Sequence, residues 1–143
     1  MNQAVENALP ELVELRIPSR AEWVALARLA AATVANRLHF SIEEIEDVKL
    51  AVAEACTAVI QQEGHGEFIL LTCEALDDSL RVRVRDSGRH GVHAAEQRGM
   101  NFEEARIAGL GIFLIRTLMD EVSYDVHPQH GTDLLMVKRL GGY

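Results

Sequence analysis

The stretch "SIEEIEDVKLAVAEACTAVIQQEGHGEFILLTCEALDDSLRVRVRD", residues 41–86, changes its period in the middle, and that change decides the fold. Through Gln62 the apolar residues recur at helical intervals. Ser41 followed by Glu44 has the spacing of a capping box, in which hydroxyl and carboxylate each satisfy a backbone N–H at the helix start. After the break "GHGEF" the period becomes two. "FILLTCEAL" and "LRVRVRD" read as strands, joined through Asp77, Asp78 and Ser79, residues suited to a hairpin turn. In the second strand Leu80, Val82 and Val84 face a core, while Arg81, Arg83 and Arg85 face water.

Upstream, "ELVELRIP" sets Leu12 or Val13, Leu15 and Ile17 against charges, the pattern of a half-buried strand that Pro18 ends. Ser19 and Glu22 repeat the capping-box spacing before "EWVALARLAAATVANRL", where Trp23, Leu26, Ala27, Ala30, Val34 and Leu38 fall at helical intervals. Downstream, residues 87–108 hold three glycines and no sustained period. A connection that long is a functional lid, a disordered segment or a missed short helix. "GLGIFLIRTLMDEV" reads as an apolar helix opening at Gly109, with "FLIRTLM" core and Arg116 on the wet side. "EVSYDVHP" and "TDLLMVKRL" close the chain as a hairpin. The order strand, helix, helix, strand, strand, lid, helix, strand, strand predicts an α+β fold: a two-layer sandwich with helices on one face of a mixed, mostly antiparallel sheet. Residues 1–10 are expected to be flexible and 11–143 to form a single domain.

Composition narrows the function. With 48% apolar residues the chain can bury a substantial core, and a net charge of −8 argues against wrapping a phosphate backbone, so no nucleic-acid partner is expected. No apolar run approaches the ~20 residues that span a bilayer. "MNQAVENALP" has no basic segment followed by an apolar one, so a cytoplasmic location without membrane association is expected. Cys56 falls in a helix and Cys73 in a strand, and both thiols are expected to be free.

Glu54 stands out within its helix. One turn away lie Leu50, Ala51, Thr57 and Ala58, so no cation is in local reach, and a half-buried carboxylate requires a partner elsewhere or a chemical role. Gly109 and Gly111 at a helix mouth fit either a plain loop-to-helix turn or a place where an anion such as phosphate approaches the backbone. Asp86 and Gly88 end a core strand. That carboxylate is either a turn residue or an acceptor for an exocyclic amino group, with the glycine leaving room for a flat ring. His90 with His93, and His127 with His130, have spacings that metals can use. No acidic or Cys residue completes a zinc set, so loop histidines are the alternative and no metal ligand is assigned. Ser87 lacks the glycine pattern of a hydrolase elbow.

Taken together, "AVAEACTA", "DSG", "GLGIFLI" and "GTDLLMVKRL" resemble the successive boxes of the histidine-kinase-like (GHKL) ATPase superfamily. "AEACT", "GLGIFLIRTLMDEVSY" and the terminal "VKRL" resemble more closely its anti-sigma-factor serine kinases, over almost the whole chain from about residue 10. The resemblance implies a Bergerat-type ATP-binding fold and a kinase that phosphorylates a small antagonist protein on serine and binds a sigma factor. It also implies ATP and Mg2+ as cofactors and a homodimer. Glu54 would act on the attacking serine hydroxyl as general base or by positioning it. Asp86 would bind the adenine amino group, Gly88 would make room for the base, Gly109 and Gly111 would cradle phosphates, and Thr132 would support Asp86 or the adenine. One position departs from the family pattern: Ala58 stands where the first box has an asparagine that holds magnesium, with Gln62 one turn further as a substitute or an exposed helix end. The alternative is a non-catalytic anti-sigma or switch module of the same fold.

Overall fold

The computed structural model describes residues 11–88 and 102–141. The segment 1–10 and the greater part of the 87–108 connection, with His90 and His93, lie outside them. The chain runs β1 (Glu11–Pro18), a 3-10 turn (Ala21–Trp23), α1 (Val24–Ala35), α2 (Ile42–Gln61), β2 (Phe68–Ala75), β3 (Ser79–Asp86), α3 (Phe102–Leu118), β4 (Glu121–His127) and β5 (Gly131–Arg139). The strands form one sheet in the order β1-β2-β3-β5-β4. All four pairings are antiparallel, the limiting case of the mostly antiparallel sheet expected.

Register assigns the two faces. Ile69 lies opposite Asp86, Leu71 opposite Val84 and Cys73 opposite Val82, and across β5 Val84 meets Leu134 and Val82 meets Met136. These side chains are buried against Val48, Val52 and Val59 of α2 and Ile115 of α3, and each aliphatic one contributes about 1.5–3 kcal/mol relative to exposure. The other face carries Leu70, Thr72 and Glu74 beside Arg85, Arg83 and Arg81, so the arginines do point away from the helices. On β1 the register also decides between two candidates: Val13 pairs with buried Cys73, and Leu12 takes the outer face.

The helix starts differ in kind. The Ser41–Glu44 capping box forms as expected, the Ser41 N–H donating to Glu44 Oε1 at 2.8 Å and the Glu44 N–H to Ser41 Oγ at 3.1 Å. Ser19 and Glu22 form no such box. Ser19 is buried, its N–H donates to Glu67 O, and the chain enters α1 through the 3-10 turn with no side-chain cap. The start of α3 is the main correction: it begins at Phe102, seven residues before Gly109, which accounts for part of the long connection as a missed stretch of helix. Its apolar run is also less buried than expected, since Ile112, Ile115 and Met119 are core whereas Leu110 and Phe113 are exposed. At the far end of α3, Lys138 of β5 donates to the Leu118 carbonyl at 2.6 Å and lies 3.5 Å from Asp47 of α2, a cation where a helix's last carbonyls favour one. No helix among the described residues is long and apolar enough to cross a membrane.

Candidate functional site

Asp86 is the last residue of β3, only 5% exposed, and its two oxygens are treated differently. Oδ1 accepts the Gly66 N–H at 2.7 Å, with the Gly88 N–H more distant at 3.4 Å. Oδ2 is buried with no hydrogen-bond partner. Two glycines make this placement possible. A β-carbon at Gly66 would fall 2.6 Å from Asp86 Oδ1, and one at Gly131 would fall 2.7 Å from both Cβ and Cγ of Asp86. Gly131 also has φ +73°, a left-handed conformation that favours glycine. Thr132 follows it directly, fully buried, and its hydroxyl likewise has no partner. Beyond Asp86 the Ser87 N–H donates to the Phe68 carbonyl and the Phe68 N–H to Ser87 Oγ, which ties the strand end to β2 before Gly88 turns away at φ +107°.

A buried acceptor and a buried hydroxyl without partners are costly, because each has given up water without compensation. Their positions at adjoining strand ends make the deficit specific. An acceptor beside a hydroxyl matches the edge of a purine base, which offers an exocyclic N–H and a ring nitrogen. The residues present therefore fit an adenine nucleotide.

Glu54 lies midway along α2 and is half-buried. Its Oε1 is 3.4 Å from where a β-carbon on Gly111 would stand, so α3 passes the carboxylate with a residue that has no side chain. No cation pairs with Glu54 among the described residues. Gly109, two residues and roughly half a turn earlier, has open space where a side chain would be. Both glycines lie inside α3 rather than at its mouth, so their contribution is an open helix surface and not a set of unpaired N–H groups. Ala58, one turn beyond Glu54 on α2, is buried and offers only a methyl group. Gln62 at the C-cap is 4% exposed and so is not an exposed helix end. No group of three His, Cys, Asp or Glu side chains among the described residues could hold a metal, and with alanine at 58 the donor set does not fit a protein-ligated magnesium.

The role of the two glycines that grip Asp86 escapes a reading of the sequence by motif, although Gly131 opens the quoted "GTDLLMVKRL". Their signal is position: Gly66 closes the loop before β2, and Gly131 ends the β4–β5 turn.

Residues 17–138 match the family model described as the histidine kinase-like ATPase domain. The chain belongs to that family. It is 34% identical over 139 residues to the serine-protein kinase RsbW of Halalkalibacterium halodurans, covering 92% of this chain and 85% of that protein. Proteins of the same name from Bacillus cereus and Listeria innocua are 36% identical over 140 residues and 37% identical over 138. The shared stretches cover 91% and 90% of this ATPase-family chain and 86% and 87% of the relatives. The match begins at Ile17 and ends at Lys138, the first fully buried residue of β1 and the lysine that meets the end of α3.

Proposed function

We propose that the protein is an ATP-dependent protein-serine kinase and anti-sigma factor that phosphorylates a small antagonist protein in a bacterial partner-switching system. The observation that carries this reading is the unpartnered pair Asp86 Oδ2 and Thr132 Oγ1, an acceptor and a hydroxyl waiting at adjoining strand ends. The name of the relatives, serine-protein kinase, supports phosphate transfer to a protein serine. In this reading Asp86 accepts the adenine amino group, Thr132 completes the polar edge and Gly88 leaves room for the ring. Gly111 beside Glu54, and Gly109 roughly half a turn earlier, are the places on α3 where phosphates can approach the backbone without meeting a side chain. ATP supplies the phosphoryl group. Glu54 takes the proton of the attacking serine hydroxyl as that oxygen bonds to the γ-phosphorus and the bond to the β–γ bridging oxygen breaks, its electron pair leaving with ADP. The reaction takes place in the cytoplasm, where the sigma factor and the antagonist reside. A homodimer is part of the proposal: β1 is a sheet edge, and Leu12 and Val13 on it, with Trp23, Leu26 and Leu29 at and along α1, are exposed.

A second reading, a binding module of the same fold that transfers no phosphate, is favoured by one residue, Ala58. The two are separated by transfer from labelled ATP to the cognate antagonist, comparing the parent with Glu54→Gln. A kinase loses transfer in that variant and keeps nucleotide affinity, because the base acts on the attacking hydroxyl and not on the bound nucleotide. Transfer unaffected by Glu54→Gln would remove Glu54 from the mechanism, and no transfer by the parent would establish the binding module.

A further inference from the structure

The face of the sheet turned away from the helices carries an arginine that forms no ion pair within 4 Å among the described residues. Arg85 lies between Leu70 of β2 and Asp133 of β5 in the strand register. The carboxylate opposite it is already committed. Asp133 accepts two hydrogen bonds from its diagonal neighbour Arg83, from Nε at 2.9 Å and from Nη2 at 2.6 Å. Arg85 Nε is buried and has no partner.

This guanidinium borders a cleft of about 290 Å³, whose walls include Leu70, Ser87, Gly88, His127 and His130. The two imidazoles meet edge to face with centroids 6.2 Å apart. Ser87 Oγ accepts the Phe68 N–H at 3.1 Å, which leaves the hydroxyl proton available to donate. Two carboxylates also touch the cleft, Asp133, held by Arg83, and Asp86, whose Oδ1 is occupied by the Gly66 N–H. The Asp133 carboxyl is held below its usual range first by the hydrogen bond from Arg83 and, against desolvation, by the charges of Arg83, Arg85 and His127. Arg83 thus answers the Asp133 carboxylate, and Arg85 is the cation that lines the cleft itself.

We propose that this cleft is an oxyanion site for phosphate, free or as a monoester, in which Arg85 supplies the charge and His127, His130 and Ser87 supply further donors. A guanidinium presents a planar fork that matches two phosphate oxygens, and an imidazole carries at least one N–H in either protonation state. The cleft adjoins the nucleotide reading, since Asp86, Gly88 and Thr132 also line it, but none of its four proposed donors is among the nucleotide residues.

The test is NMR of the His127 and His130 ring signals, assigned with His127→Gln and His130→Gln, in the protein without nucleotide. Inorganic phosphate and methyl phosphate are titrated separately at constant pH, against sodium chloride of matched ionic strength. Both phosphates shift both rings saturably in the millimolar range and chloride does not; tighter binding of the methyl ester assigns the site to esterified phosphate, and of the free ion to inorganic phosphate. Arg85→Gln weakens the titration about tenfold or more, and Arg85→Lys, which keeps the charge and the fold but loses the fork, weakens it less. Absent or non-saturable shifts, equal shifts with chloride, or an unchanged titration in the arginine variants overturns the proposal. Phosphate captured at the α3 glycines would give that last result. Loss of the phosphate titration in Arg85→Gln with ATP binding retained separates this site from the nucleotide site.

Discussion

The carboxylate of Asp86 is packed directly on the backbone of Gly131, so closely that a β-carbon there would stand 2.7 Å from Asp86 Cγ. Gly131→Ala therefore meets two penalties at once: a left-handed φ of +73° and a displaced carboxylate. The conformation alone costs about 1–2 kcal/mol. Urea unfolding should show at least that loss, and calorimetry should show weaker adenine nucleotide binding. An alanine variant of parental stability would mean that the carboxylate has room that the packing denies it.

Thr132 and Asp86 should separate folding from ligand binding. The Thr132 hydroxyl is buried without a partner, so Thr132→Val removes an unsatisfied group and should leave the free protein as stable as the parent or stabilise it by ~1 kcal/mol. Nucleotide affinity should fall by roughly tenfold in the same variant, and in Asp86→Asn by roughly ten- to a hundredfold, selectively for adenine. Thermal unfolding with and without ATP measures both quantities on one sample. A valine variant that unfolds early and binds ATP normally would assign the hydroxyl to structure alone.

Ala58→Asn tests the missing ligand. An added side-chain oxygen is worth about 1–3 kcal/mol, so magnesium should strengthen ATP and ADP binding ten- to a hundredfold more in the variant than in the parent. Calorimetry of each nucleotide with and without magnesium reads this difference directly. The same magnesium dependence in both proteins would show that position 58 does not reach the phosphates.

The thiols should be inert in the native state. Burial pushes Cys56, and likewise Cys73, up to about 12, with the neighbouring Cys73 adding to the effect on Cys56. At pH 8 the thiolate fraction is then ~10⁻⁴, against about a quarter for an ordinary thiol. A thiol reagent should label neither residue until denaturant is added. Rapid labelling of the folded protein would contradict the burial of both.

Arg83 and Asp133 make a pH-dependent contribution of known sign. The hydrogen bond from Arg83 holds the Asp133 carboxyl below its usual range, so the folded pKa lies under the unfolded one. The pair's stabilisation is therefore fully present above the ordinary aspartate range and is lost as pH falls through the lower folded value. Arg83→Gln should raise the Asp133 titration in a carboxyl NMR experiment. Its cost in stability at pH 7 should stay under about 1 kcal/mol, since both side chains are partly exposed.

Most of the architecture was legible because periods two and 3.6 are hard to confuse over eight or more residues. β2, β3 and α2 come directly from residues 41–86. The failures have physical causes. Gly109 and Gly111 suggest a helix start, yet a glycine inside a helix costs only about 1 kcal/mol, and α3 continues through both because its other contacts outweigh that. Asn101 ahead of Phe102, Glu103 and Glu104 is the overlooked start signal, a capping residue type followed by acidic residues. Ser19 has capping spacing but is drawn into the sheet by its bond to Glu67 O, a contact 48 residues away that no local pattern encodes. The resemblance names Asp86 and Thr132. That both would be buried without partners, and that Gly66 and Gly131 grip the carboxylate, required the long-range register of the strands.

That register also constrains how the chain can change in length. Arg85 and Asp86 are consecutive but serve opposite faces of β3, as do Thr132 and Asp133 on β5. Removing one residue from the Asp77–Asp78 turn, if the strand slid to compensate, would carry three guanidinium groups towards the core and Asp86 to the outer face. Insertions and deletions in this family should therefore avoid the paired strands. Along β3 and β5 they should come in twos or not at all.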